Sequence, residues 1–273
     1  MSRSNTLISV AASLLAMGLS TASHAATSAA PSTCGGLAGT RFVFEVQGKY
    51  DTGYNALPFA EVGRLVFDAT GATGTTSSYT NGPGDVATHP STSFSCADLS
   101  LPKGFAKLTF ADGRAYNVVA NNHFNLLKMI RVDAHTYAGG EARLSTDWST
   151  LPAQACSLLG GKAYISSMVG SILVDTPTTG AYSAFADVWS FTNAPGKLSG
   201  VWEFGANTPA YHAESGTRLD CAPYDDGSAI VTWTDPAGFY ENSFVIYPNA
   251  DGSSAAALST LPGQGAAGWL VKR

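Results

Sequence analysis

The chain has 273 residues, a net charge of -5 and only 13% charged residues, about half the usual ~25%. Its 15 Lys and Arg are scattered along the sequence, which excludes the gathered basic face that nucleic acid or an anionic membrane surface requires. With 29 Gly and 13 Pro the chain turns often, and its surface must be covered by Ser, Thr, Asn, Gly and Ala.

Residues 1–25 read as a signal peptide. Arg3 precedes an apolar run from Leu7 to Leu19, and Ser23-His24-Ala25 places small residues at the two positions a signal peptidase needs. Residues 26–33 read as a flexible leader. No later segment reaches the ~18 continuous apolar residues of a membrane span. The expectation is a secreted protein, extracellular or periplasmic, cleaved after Ala25.

Residues 34–145 read as a series of short strands. Phe42, Phe44 and Val46 alternate with Arg41, Val43, Glu45 and Gln47, a period of two. Further strands are expected near 58–68, 72–79, 91–96, 104–111, 114–121, 124–133 and 137–144. Turn chemistry separates them, as in Asp68-Ala-Thr-Gly, Asn81-Gly-Pro-Gly and Ala111-Asp-Gly. Asn121 to Val132 is the best helix candidate, but its Asn and β-branched content favours a strand. Asp51-Thr52-Gly53 matches the short motif of aspartic proteases. The second copy offers only Asp175-Thr176-Pro177, so the two-carboxylate dyad is missing and both read as hairpin loops.

Thr146 to Ala155 is the expected joint, and 156–273 reads as a second copy of the first unit. The interval from Cys34 to Gly48 equals that from Cys156 to Gly170. Pro58-Phe-Ala-Glu-Val is matched by Ala184-Phe-Ala-Asp-Val, and a second cysteine follows in each copy, Cys96 and Cys221. A period near 120 residues is too long for a solenoid, so each copy is expected to be a small domain. Four cysteines allow three pairings. If each copy folds as a unit, the pairs are Cys34–Cys96 and Cys156–Cys221, and export favours their oxidation.

The fold expected is all-β, with two tandem homologous antiparallel units, each a barrel or a sandwich. The order of Leu37, Gly39, Thr40 and Phe42, then Ala60, Val62, Gly63, Leu65, Phe67, Asp68 and Gly71, then Cys96, resembles uncharacterised secreted microbial proteins with duplicated lipocalin-like (calycin-type) barrels. Copy two departs at Trp189, where Gly63 stands, and lacks an Asp after Phe191. These are turn and core residues, so the resemblance implies a fold more than a function.

No metal spacing, nucleophile elbow or phosphate loop occurs, so no metal or cofactor is expected. His123, in a polar segment between strands, and Glu45 are the candidates for acid–base work. Glu61 and Asp187 hold equivalent places in the two copies; period-two alternation puts such carboxylates on the outward face, with the lumen as the alternative. Phe42, Phe44, Trp202, Tyr240 and Trp269 are candidates for the wall of a pocket, because an eight-stranded barrel has room for one small ligand. Three functions are compatible with this. The first is binding of a small apolar or aromatic molecule. The second is a cofactor-free cyclase or isomerase acting on a small hydrophobic metabolite. The third is an extracellular surface or matrix protein. Composition and spacing are silent on oligomeric state.

Overall fold

Eight strands close the first half of the chain into a barrel: β1 (Arg41–Asp51), β2 (Ala56–Phe67), β3 (Thr73–Asn81), β4 (Ala87–Asp98), β5 (Phe105–Phe110), β6 (Ala115–Ala120), β7 (Leu126–Arg131) and β8 (Thr136–Leu144). Neighbours pair antiparallel, and β1 closes the ring on β8 with Phe42 opposite Leu144. This computed structural model describes residues 32–53, 56–82, 86–100, 104–145, 154–172, 181–194, 197–206, 218–234, 241–262 and 265–273. The expected signal peptide lies outside them.

Period-two burial makes these segments strands. In β5, Ala106, Leu108 and Phe110 are buried, while Phe105, Lys107 and Thr109 are exposed. The inward rings form a continuous chain. Phe42 meets Phe67 at 6.1 Å, Phe67 meets Phe94 at 5.1 Å, Phe94 meets Phe110 at 5.3 Å and Phe110 meets Tyr116 at 5.5 Å. Such edge-to-face and tilted contacts add to the large area each ring buries. Side chains fill this part of the lumen, with Leu65, Leu108, Leu127 and Met129 between the rings.

A short helix, α1 (Thr33–Gly36), lies at the barrel end where β1 begins. Ser32 caps it, Leu37 behind it is fully buried, and the Cys34–Cys96 disulfide ties it to β4. Thr33, the last residue of the expected leader, belongs to this helix. Gly71 has φ +74 and packs so closely on the Cys34 carbonyl that no side chain fits. Asp51-Thr52-Gly53 is a hairpin loop, in which the Gly53 N–H donates to Asp51 Oδ1 at 2.7 Å.

The second half repeats this plan. After α2 (Ala155–Leu159) come β9 (Ala163–Ile172), β10 (Ala181–Ala194), β11 (Lys197–Ala206), β12 (Arg218–Pro223), β13 (Ala229–Thr234), β14 (Glu241–Pro248), β15 (Ser254–Ser259) and β16 (Ala267–Lys272). Their order, β11-β10-β9-β16-β15-β14-β13-β12, is that of the first barrel opened between its third and fourth strands. A second disulfide, Cys156–Cys221, ties α2 to β12 just as the first ties α1 to β4. The sequence pattern predicts neither helix. At four and five residues they are too short for a 3.6-residue period to show. Most of the expected joint, 146–155, lies outside the described residues, and Ala155 opens α2.

Both sheets belong to one compact unit, Pro31–Arg273. A separate apolar cluster joins them: Val43, Ala60 and Val62 on the outer face of the first barrel meet Val245, Tyr247, Ala256, Leu258, Ala267 and Trp269 of the second. All six residues of β15 are buried, because its inner side faces its own core and its outer side faces the first barrel. Two covered faces explain the run Ala255-Ala256-Ala257-Leu258, and small side chains let the barrels approach.

Candidate functional site

Three polar constellations stand out against this apolar framework. The first is inside the first barrel. Glu61 points into the lumen and is fully buried, contrary to the outward placement that alternation favours. Burying a carboxylate costs a great deal unless it is paired, and this one is. The Tyr116 hydroxyl and Arg114 Nη1 both donate to it, and Arg131 Nη1 lies 3.2 Å from Oε2. Arg114 also donates to Ser78 Oγ at 2.7 Å and, through Nε, to Asp112 Oδ2 at 2.8 Å. Arg131 is paired with Asp133 and lies over the Phe59 ring at 4.6 Å. His89 Nδ1 reaches Asp112 at 3.5 Å. Burial, and then the Glu61 charge, push the Tyr116 phenol well above its ordinary value. It stays protonated and donates. Each charged group lies against an opposite one, so the cluster stiffens the barrel.

The second constellation is at the joint. Glu45 lies on the outer face of β1, buried where the two barrels meet. Burial, and then the nearby Glu141 carboxylate, raise its pKa to about 7, against the lowering effect of Gln47, whose Nε2 donates at 3.2 Å. The Trp269 indole N–H lies beside this carboxylate but closes no well-formed hydrogen bond. Arg143 stacks on the Trp269 ring at 4.1 Å and pairs with Glu141, which also holds Lys128 at 2.6 Å. The folded carboxyl keeps its proton above its ordinary value of 4.5. The folded state therefore binds more protons than the unfolded chain between about 4.5 and 7, and stability falls as pH rises through that window. The shift corresponds to about 3 kcal/mol at most. Glu45→Gln is expected to raise Tm at pH 8 and to leave it unchanged at pH 4. Thermal unfolding across pH 4–8.5 reads this directly, and an unchanged pH slope in the variant rules it out.

The third is an open cleft of about 700 Å³ between the outer face of the first barrel and the β12–β13 turn of the second. On β3, Thr75, Ser77 and Tyr79 fall on one face, as i, i+2 and i+4 must in a strand. Tyr79 stacks on Tyr224 at 6.1 Å with ring planes 26° apart, and it leans on Tyr247 at 6.0 Å. Tyr247 donates to Asp226 Oδ2 at 2.7 Å, and Arg64 Nη1 donates to the Asp226 carbonyl. Gly227, at φ +80, leaves space for that guanidinium. Burial lowers the Arg64 pKa to about 10. Arg41, Val66, Thr76, Thr88, Pro90, Ser91 and Asp225 also line it. Ser91 has φ +35 and follows Pro90 at a bulge between β3 and β4. Bulges and such backbone outliers concentrate at ligand sites.

The expected site residues do not converge. His123 is exposed in the turn joining β6 and β7, where Asn121 Oδ1 accepts from the Asn125 N–H at 3.1 Å. Among the described residues it shares no hydrogen bond or ion pair with Glu45. Phe42 and Phe44 are fully buried in the first core, and Trp269 sits in the joint. Tyr240 and the Trp202 side chain lie outside the described residues. Among the described residues, no group of three or more His, Cys, Asp or Glu is placed to hold a metal ion. Sequence reasoning does not single out Tyr79, Arg64 or Tyr224. Their only signals there are the alternation Thr75-x-Ser77-x-Tyr79 and the turn Asp225-Asp226-Gly227.

No protein-family description matches the chain, and no curated protein matches it. Among solved structures it is similar to the isotype 1 transferrin binding protein B from serogroup B Neisseria meningitidis, at 8% identity and a TM-score of 0.32, covering 86% of this chain and 74% of that one. It is also similar to a protein assigned as AttH from Nitrosomonas europaea, at 8% identity and a TM-score of 0.29, covering 85% and 92%. The two disulfides are consistent with an oxidising, extracytoplasmic setting. Among the described residues, no helix is long and apolar enough to cross a membrane.

Proposed function

We propose that this is an exported, non-catalytic binding protein that holds a small ring-bearing molecule in the cleft between its two barrels. The observation that carries the reading is the Tyr79–Tyr224 stack, set in a concave, polar-rimmed site built by both halves of the chain. A volume near 700 Å³ lies within the ~300–1,000 Å³ of small-molecule sites. Support also comes from what fills the rest of the first barrel. Phe42 and Phe44 contact neighbouring rings in its core, so the cleft is the better place for a ring-bearing ligand than the lumen. The enzyme reading is less well supported, because Glu45 and His123 occupy different surroundings and, among the described residues, share no hydrogen bond or ion pair.

The test is native mass spectrometry of protein exported by its own cells. A bound small molecule is expected in the wild type and not in Tyr79→Ala. A ligand retained by Tyr79→Ala places the site elsewhere and overturns the reading.

A further inference from the structure

The cleft lining discriminates among small ligands. On the reading that the cleft is the binding site, we infer that the ligand is an uncharged, polyhydroxylated ring, a sugar or short glycan, seated with its CH face on the tyrosine pair. Charge argues first. Arg41 and Arg64 are matched in the cleft by Asp225 and Asp226, so a strongly anionic or cationic ligand would meet a like charge as well as an opposite one. Desolvation argues second. A wholly apolar ligand would cover the polar side chains of the lining without offering them any hydrogen bond. A ring bearing several hydroxyls both donates and accepts, so it satisfies Asp and Arg at once.

The aromatic wall argues third. Tyr224 is 39% exposed, so the pair presents a ring surface to solvent rather than an enclosed slot. The other apolar side chains of the lining, Val66 and Pro90, extend that ring surface. The hydroxyls of Thr75, Ser77, Thr88 and Ser91 supply further donors and acceptors around that platform.

A broad glycan array, followed by calorimetry on the captured glycan, tests this with the whole exported protein. Tyr79→Ala and the more exposed Tyr224→Ala are the variants. Tyr137→Ala, on β8 and 67% exposed, is the control. The expected result is capture of one group of glycans, weakened at least about tenfold, or 1.4 kcal/mol, in both cleft variants and unchanged in the control. If no glycan binds but the uncharged apolar dye Nile red does, in a Tyr79-dependent way, the sugar assignment fails while the cleft survives. Glycan binding that both cleft variants retain overturns the cleft and the assignment together. Failure to bind either probe overturns both as well.

Discussion

Glu61→Ala is expected to destabilise the first barrel by about 3–5 kcal/mol, the usual cost of breaking a buried ion pair by removing one partner. The substitution leaves the Tyr116 hydroxyl without its acceptor and takes from Arg114 and Arg131 the carboxylate they share. Arg114 retains Asp112 and Ser78, and Arg131 retains Asp133, which holds the loss within that range. In thermal unfolding this is a fall in Tm of about 10 °C for a domain of this size. The comparison that isolates the cause is a combined replacement of Glu61, Arg114 and Arg131 by Met or Leu. Removing the whole network leaves no buried charge unpaired and is expected to cost far less than Glu61→Ala alone. A Glu61→Ala variant as stable as the wild type would show that the cluster is open to water rather than buried.

This cluster also shows where sequence reasoning stops. The fold is legible because its signals are local: alternation in β1 and β5, turn residues between strands, and paired cysteines in matched copies. Whether Glu61 faces in or out is not, since its strand runs Phe59-Ala-Glu-Val-Gly with apolar residues on both faces. Ala60 and Val62 are apolar because the second barrel covers them, and that removes the contrast between faces that a period-two argument needs. Glu45 follows the same logic. It alternates with the inward Phe44 and Val46, but the outer face there is buried at the joint, so its carboxyl has a raised pKa. The cleft is harder still. Tyr79 and Tyr224 lie on different copies, and their stacking depends on how the barrels dock.

Replacing Cys34 and Cys96 together by Ala is the second large effect, at about 4 kcal/mol in the chain-entropy picture for a loop of 62 residues. The consequence is expected to be local as well as global. The bridge holds α1 against β4, with Asp98 Oδ1 accepting from the Cys34 N–H at 3.0 Å and Leu37 seated in the core. Without it, the four-residue helix keeps its Ser32 cap, the Asp98 hydrogen bond and the seat of Leu37, too little for a single turn to stay docked. The lumen rings at that end should become accessible, so dye binding is expected to rise below the global unfolding transition. The Cys156–Cys221 pair, which ties α2 to β12 across 65 residues, is expected to behave in the same way in its own barrel. Each loss should be read separately in denaturant unfolding of the two double variants. Non-reducing peptide mapping provides the direct check. A peptide joining Cys34 to Cys156, or Cys96 to Cys221, would show that the copies exchange bridges and that neither barrel is closed by its own.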